Sequence, residues 1–232
     1  MRLRNATIFL AGLCLAPLAI AQDTFTITGA NPDNYTMGDV YVSPYEATIT
    51  NGNNTIYSGL VICDDFTDEV SPPESWTADP STVGSSGTGL FGSTNSADYN
   101  AVAWLADELM TGGTYNNQIQ ASILSFAIWT VFDPSAISYV TSITADGTTL
   151  SQSQVQADVN ADISNALSLG TYTGPTATIW TPTNWSGDNS RPQEFITIAT
   201  PEASTIANLA VDLAALLFAL FVLHRRRGNA AA

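Results

Sequence analysis

Five of the six basic residues of this 232-residue chain lie at its two ends, each group beside an apolar run. Arg2 and Arg4 precede the first run, and residues 225–227, all arginine, follow the last one. Between them, residues 22–200 hold 19 acids and a single base, Arg191, which gives this body a net charge of −18. Because such a body repels phosphate backbones, we expect no binding to nucleic acid.

The body also lacks the side chains on which many enzymes depend. The chain has no lysine, which excludes Schiff-base chemistry and lysine cross-links. Its single histidine, His224, lies beyond the last apolar run, so the body has no imidazole for a Ser/His/Asp relay or a zinc site. We therefore predict a protein that is not an enzyme and that needs no cofactor.

Residues 1–21 have the pattern of a secretory signal peptide. An apolar run covers residues 8–18, and Ala19-Ile20-Ala21 is a small-x-small cleavage site. Because the run is shorter than the ~20 residues of a membrane span, the pattern favours cleavage over an uncleaved anchor. Cleavage removes Cys14 and leaves Cys63 as the one cysteine of the exported chain, so we expect no intramolecular disulfide.

Residues 206–223 form the second apolar run, which is predicted to be a transmembrane helix. As a helix it is about 27 Å long, close to the ~30 Å thickness of the hydrocarbon core. Asp212 opposes insertion by ~2.5–3.5 kcal/mol, but eleven Leu, Ile, Phe and Val residues outweigh it. The arginines that follow keep the tail, 228–232, in the cytoplasm and place the body outside. A buried core helix is the alternative interpretation.

Residues 201–227 combine a short motif, the apolar run and a basic end. The residues concerned are Pro201, Glu202, Ala203, Ser204, Arg225, Arg226 and Arg227. This order resembles the C-terminal sorting signal of PEP-CTERM proteins, which belong to the bacterial envelope and exopolysaccharide matrix. The resemblance implies processing by an exosortase, a membrane transpeptidase, and a location at the cell surface or in the extracellular matrix. Ala203 departs from the family, which usually has a second proline there.

The body, residues 22–200, is long enough for one well-cored domain. Alternating patterns predict strands at 24–28, 40–42, 46–50, 55–57, 59–63, 177–180 and 194–199, with a hairpin turn at 51–54. Residues 70–97 are rich in Pro, Ser, Thr and Gly, and we expect a mobile surface loop tethered by Trp76, Leu90 and Phe91.

Three helices are predicted in the middle of the body. Ser96 caps the first, which ends at Gly112-Gly113. Asn116 caps the second, 117–132, which is apolar on nearly all sides and must therefore be buried. The third, 153–169, is amphipathic and ends at Gly170. The fold class is therefore α+β: a β-sheet or sandwich with a small cluster of helices.

Three segments of the body, 61–66, 103–106 and 126–134, carry a second resemblance. Their order looks like a body found in some PEP-CTERM proteins and is similar to the thioester domains of bacterial surface adhesins. In those domains a strand cysteine and a glutamine, two residues before a helical Ala-Ile-Trp, condense into a thioester that captures amines. Cys63 and the Ala-Ile-Trp at 127–129 match, but Ser125 occupies the glutamine position. We predict a thioester relic, with Gln118 or Gln120 as the alternative partner of Cys63.

Acidic residues and tryptophans leave further interpretations open. One acidic cluster has the oxygen ligands that suit Ca²⁺, but the EF-hand pattern is absent, which favours a solvated loop. That cluster comprises Asp64, Asp65, Asp68 and Glu69. Trp180 and Trp185 either stack on sugar rings or pack in the core. A carboxylate-dependent glycoside hydrolase would have to use Glu46, Glu69, Glu74, Glu108 or Glu194, the glutamates of the body.

Together these patterns predict a non-enzymatic, exported protein of the bacterial cell envelope or exopolysaccharide matrix. We expect residues 206–223 to anchor it in the membrane and an exosortase to sort it. A polysaccharide is a further candidate partner. The first alternative is a surface adhesin with an internal thioester at Cys63. The second is a carboxylate-dependent glycoside hydrolase.

Overall fold

The computed structural model describes residues 22–30, 35–42, 44–183 and 191–199. The predicted signal peptide, the sorting signal with its transmembrane helix, and the tail 228–232 lie outside the described residues. Within the described ranges, no helix is both long and apolar enough to cross a membrane.

The described chain is a sheet-rich fold with three α-helices. The strands are β1 (Asp23–Ala30), β2 (Thr36–Met37), β3 (Val40–Tyr41), β4 (Tyr45–Asn51), β5 (Asn54–Cys63), β6 (Glu74–Thr82), β7 (Thr88–Gly89), β8 (Gly92–Ser93), β9 (Ile143–Ala145), β10 (Thr148–Leu150), β11 (Ala177–Thr183) and β12 (Phe195–Ile198). The helices are α1 (Ala97–Met110), α2 (Gln118–Phe132) and α3 (Gln152–Leu169). Short 3-10 helices cover Thr111–Asn116 and Ala136–Tyr139.

Six antiparallel strands close into a barrel in the order β1-β4-β5-β12-β11-β6. The predicted combination of a β-sheet with a small cluster of helices is confirmed, whereas the sandwich is not observed because the sheet closes on itself. The strand that closes the barrel is β6, which pairs with β1 on one side and β11 on the other. The loop prediction for 70–97 is wrong over this strand, because Trp76 and Ala78 alternate with polar residues and point into the core.

The interior of the barrel is filled by aromatic side chains. The ring of Phe25 lies 5.1 Å from that of Trp76 and 5.3 Å from that of Phe195. Trp180, on β11, completes this cluster at 6.1 Å from Phe25. Since the alternate residues of each strand face the other way, the opposite face of β5 and β12 presents Ile62 and Ile196 to the helices.

The helices pack on that outer face and form a second core. α2 is buried along most of its length, as its apolar sequence predicts. Ser96 caps α1 as predicted, whereas the cap of α2 is Asn117 and not Asn116. α3 begins one residue earlier than predicted, because Ser151 and Gln154 form a capping box.

Candidate functional site

Cys63 is the last residue of β5 and lies where the barrel meets the helices. Its side chain is 4% exposed and packs with the aromatic cluster inside the barrel. The Sγ–H donates to the carbonyl oxygen of Asp65 at 3.0 Å, and the indole N–H of Trp129 donates to the carbonyl oxygen of Cys63 at 2.9 Å. Burial raises the pKa of the Cys63 thiol, and the charges of Asp65 and Asp64 raise it further. The reactive thiolate is therefore disfavoured.

Ser125, at the position of the expected glutamine, lies on the buried side of α2. It is one helical turn before Trp129 and so shares the face of α2 that contacts the end of β5. A hydroxyl has no acyl carbon, so Ser125 cannot form a thioester with Cys63. The assignment of this pair as a thioester relic stays a prediction.

The alternative partners of Cys63, Gln118 and Gln120, occupy the first turn of α2. They precede Trp129, the residue that contacts Cys63, by eleven and nine residues. With a rise of 1.5 Å per residue, these separations are roughly 16 and 13 Å along the helix axis. These separations place both glutamines far from the part of α2 that contacts Cys63 and count against this alternative.

A different glutamine, Gln193, does approach Cys63, and the sequence gives no motif for it. Its Nε2 donates to the carbonyl oxygens of Asp65 and Asp68 at 2.9 and 2.7 Å, and the Asp65 oxygen also accepts the thiol. The approach follows from the pairing of Phe195 with Cys63, which brings two distant segments together. Gln193 Oε1 is buried without a hydrogen-bond partner among the described residues, so no donor polarises its carbonyl for attack.

The acidic cluster after β5 is not the solvated loop that its composition predicts. Asp64 and Asp65 are completely buried, whereas Asp68 binds Arg191 at 2.8 Å at the edge of the barrel. The carboxylate of Asp65 accepts hydrogen bonds from the amide and hydroxyl of Thr67. The prediction failed because the backbone of Asp64 pairs with Glu194 and carries the chain into the interior.

Asp64 and Glu194 face the helices side by side, and their surroundings differ. Glu194 accepts from the amide of Leu90 at 2.7 Å, from the hydroxyl of Tyr99 at 2.6 Å and from the hydroxyl of Thr181. Neither oxygen of Asp64 has a hydrogen-bond partner in the part of the chain that the structure describes.

Both carboxyls of this pair have a raised pKa. For Asp64 the causes are burial first and then the charges of Glu194 and Asp65. For Glu194 burial is again the main cause, and its three hydrogen bonds oppose it. The environment thus favours a protonated Asp64 beside an ionised Glu194. Both residues are 0% exposed, so a glycosidic bond cannot approach them, and the hydrolase interpretation gains no support at this pair.

The calcium and sugar-stacking interpretations also find no site here. Among the described residues, no group of three or more His, Cys, Asp or Glu side chains is arranged to hold a metal ion. Trp180 is 6% exposed, and its indole N–H donates to Thr197 Oγ1 at 3.0 Å, so it is a core residue. Trp185 lies outside the described residues.

Comparison with known proteins gives two similar structures. No family model and no curated protein matches the chain. One similar structure is the N-terminal thioester domain of a surface protein from Clostridium perfringens, with 13% identity and a TM-score of 0.42, covering 76% of this chain and 99% of that one. Another is the N-terminal thioester domain of a protein F2-like fibronectin-binding protein from Streptococcus pneumoniae, with 10% identity and a TM-score of 0.38, covering 76% and 92%. Both are thioester domains of bacterial surface proteins.

Proposed function

We propose that this chain is a non-enzymatic, exported protein of the bacterial cell envelope or exopolysaccharide matrix. One observation carries the proposal: Cys63 is buried, its thiol donates to the Asp65 carbonyl, and Ser125 replaces the acyl donor. Burial and this hydrogen bond disfavour reaction of the nucleophile that the sequence resemblance suggests. Binding or a structural role in the matrix remains as the function of the acidic body.

The sequence outside the described residues supports the route by which the body reaches the surface. Residues 1–21 direct export, residues 206–223 anchor the chain, and Pro201-Glu202 is the site near which an exosortase acts. The membrane and the exosortase are therefore the proposed partners of the chain, and the exopolysaccharide matrix is its proposed location.

The experiment follows the chain in a bacterium with and without its exosortase gene. We expect a shortened form of the protein outside the cell, and its replacement by a longer, membrane-bound form when the gene is deleted or when Pro201 and Glu202 are both changed to alanine. A Thr183→Ala variant, which changes only the body, is the control and should be processed normally. A cytoplasmic body, or identical processing without the exosortase, would refute the proposal.

A second function, an adhesin with a thioester at Cys63, is favoured by one observation. Gln193 Nε2 and Cys63 Sγ hydrogen-bond to the same carbonyl oxygen, so an amide and a thiol lie close together. The raised pKa of the thiol and the unpartnered Oε1 of Gln193 count against condensation. Sensitivity to methylamine that disappears in a Gln193→Ala variant would establish this second function in place of the first.

A further inference from the structure

A cleft of about 370 Å³ lies between α1 and α3. α1 contributes Trp104, Asp107 and Glu108 to its wall, and α3 contributes Asp162 and Asn165. The volume is in the range of small-ligand sites, which begin at about 300 Å³. Aromatic, amide and carboxylate groups thus line one concave surface. The residues of this surface are far from Cys63 in the sequence.

The cleft has an excess of negative charge that the described chain does not neutralise. Asp107 and Glu108 stand on one wall and Asp162 on the other. Partial burial, and then the charges of Glu108 and Asp158, raise the pKa of Asp162 to about 6. Arg191 is the one base in the described ranges, and it binds Asp68 at the edge of the barrel. A cation in the cleft would relieve the repulsion between these carboxylates.

The geometry favours an organic cation over a metal ion. The acidic side chains of the described residues include no group arranged to hold a metal. The cleft instead has an aromatic wall: the ring of Trp104 lies 4.9 Å from that of Tyr172 in an edge contact, and its buried indole N–H has no partner in the described chain. Indole rings attract ammonium groups and also pack against the apolar faces of sugar rings.

We propose that this cleft binds a ligand that carries a protonated amine on a ring-shaped body, of the size of an amino sugar. The ammonium group lies between Asp162 and the two acids of α1, and the ring lies against Trp104. Asn165 and Thr114, which also line the cleft, are available for the hydroxyl groups of the ring. This inference rests on the cleft alone and goes beyond the proposed function, since it holds wherever the chain is displayed.

Calorimetric titration of the purified full chain with glucosamine tests the proposal. Glucose and N-acetylglucosamine, titrated at the same ionic strength, have the same ring without the positive charge. We expect saturable binding of glucosamine and binding at least roughly tenfold weaker for the two neutral sugars. Equal affinity for the three sugars, or no saturable binding of glucosamine, would overturn the proposal.

Two Asp→Asn changes, one in the cleft and one far from it, provide a matched pair of variants. Asp162→Asn removes a charge that lines the cleft and should weaken glucosamine binding by about threefold to tenfold. Asp146→Asn removes the same charge at the exposed turn between β9 and β10, outside the lining, and should change the affinity by less than about twofold. Thermal unfolding of both variants shows that they are folded. Equal losses in the two variants would mean that only the net charge matters, and would also overturn the proposal.

Discussion

At the scale of single residues, the most unusual feature is a buried pair of acids with unequal surroundings. Glu194 has three hydrogen-bond donors, from Leu90, Tyr99 and Thr181, whereas Asp64 has none among the described residues. A buried carboxylate without donors is costly, so Asp64 is more stable when it is protonated. Both groups therefore bind a proton more tightly in the folded state than in the unfolded chain.

Because both carboxyls bind a proton more tightly in the folded state, we predict that the stability of the fold decreases as the pH rises. A carboxyl whose pKa is raised by folding contributes stability below its unfolded pKa of about 4, and this contribution is lost as the pH climbs through the folded value. We expect the melting temperature to decrease from pH 5 to pH 9, and the decrease to be smaller in Asp64→Asn. The titratable groups that lie near Asp64 are Glu194, Asp65, Cys63 and Tyr99.

Thermal unfolding at a series of pH values checks this prediction. Asp79→Asn, a change at an exposed aspartate of β6, is the control and should retain the pH dependence of the natural chain. A melting temperature that rises between pH 5 and pH 9, or an Asp64→Asn profile as steep as that of the control, would contradict the account.

The sequence predicts only part of this residue-scale picture. A lone cysteine in an apolar strand indicates burial, and Cys63 is buried. Four acids within six residues indicate a solvated loop, yet Asp64 and Asp65 are inside the fold. The difference arises from the pairing of β5 with β12, two strands that are more than a hundred residues apart in the sequence. No local sequence pattern predicts a contact between strands so far apart.

At the scale of elements, local signals were reliable for helices and weaker for strands. Caps and glycines place the ends of α1, α2 and α3 within a residue or two, because each signal acts on its own helix turn. β6 was missed because prolines, serines and glycines surround it, and its partners β1 and β11 are distant in the sequence. A barrel strand is specified by its neighbours more than by its own composition.

The capping box of α3 gives a prediction at this scale. Ser151 accepts a hydrogen bond from the amide of Gln154, whose side chain accepts from the amide of Ser151 in return. Ser151→Ala removes one of these bonds and should lower the free energy of unfolding by about 1 kcal/mol. Ser164→Ala, within the same helix, is the matched control. Its effect should be neutral or slightly stabilising because alanine is the better helix former.

Chemical denaturation of the two serine variants measures both changes. The natural chain and both variants should unfold with the same dependence on denaturant, since neither substitution alters the buried surface. A Ser151→Ala variant as stable as Ser164→Ala would show that the capping box does not stabilise α3.

At the scale of the whole molecule, the fold keeps Cys63 out of reach. The barrel closes at β5 and β12, the helices cover the outer face of this seam, and the thiol lies inside with the aromatic cluster. Outside the seam, Arg191 and Gln193 tie the segment before β12 to Asp68. In the proposed function, this closed body is displayed by its flanking segments and makes no covalent bond to a partner.

The most direct test of that function is the intact mass of the exported, processed chain, measured before and after exposure to methylamine. We predict the mass that the processed sequence requires, no change on treatment, and one thiol that becomes titratable only on unfolding. A mass lower by one ammonia, followed by the addition of one methylamine, would contradict the account and identify Cys63 as part of an intact thioester.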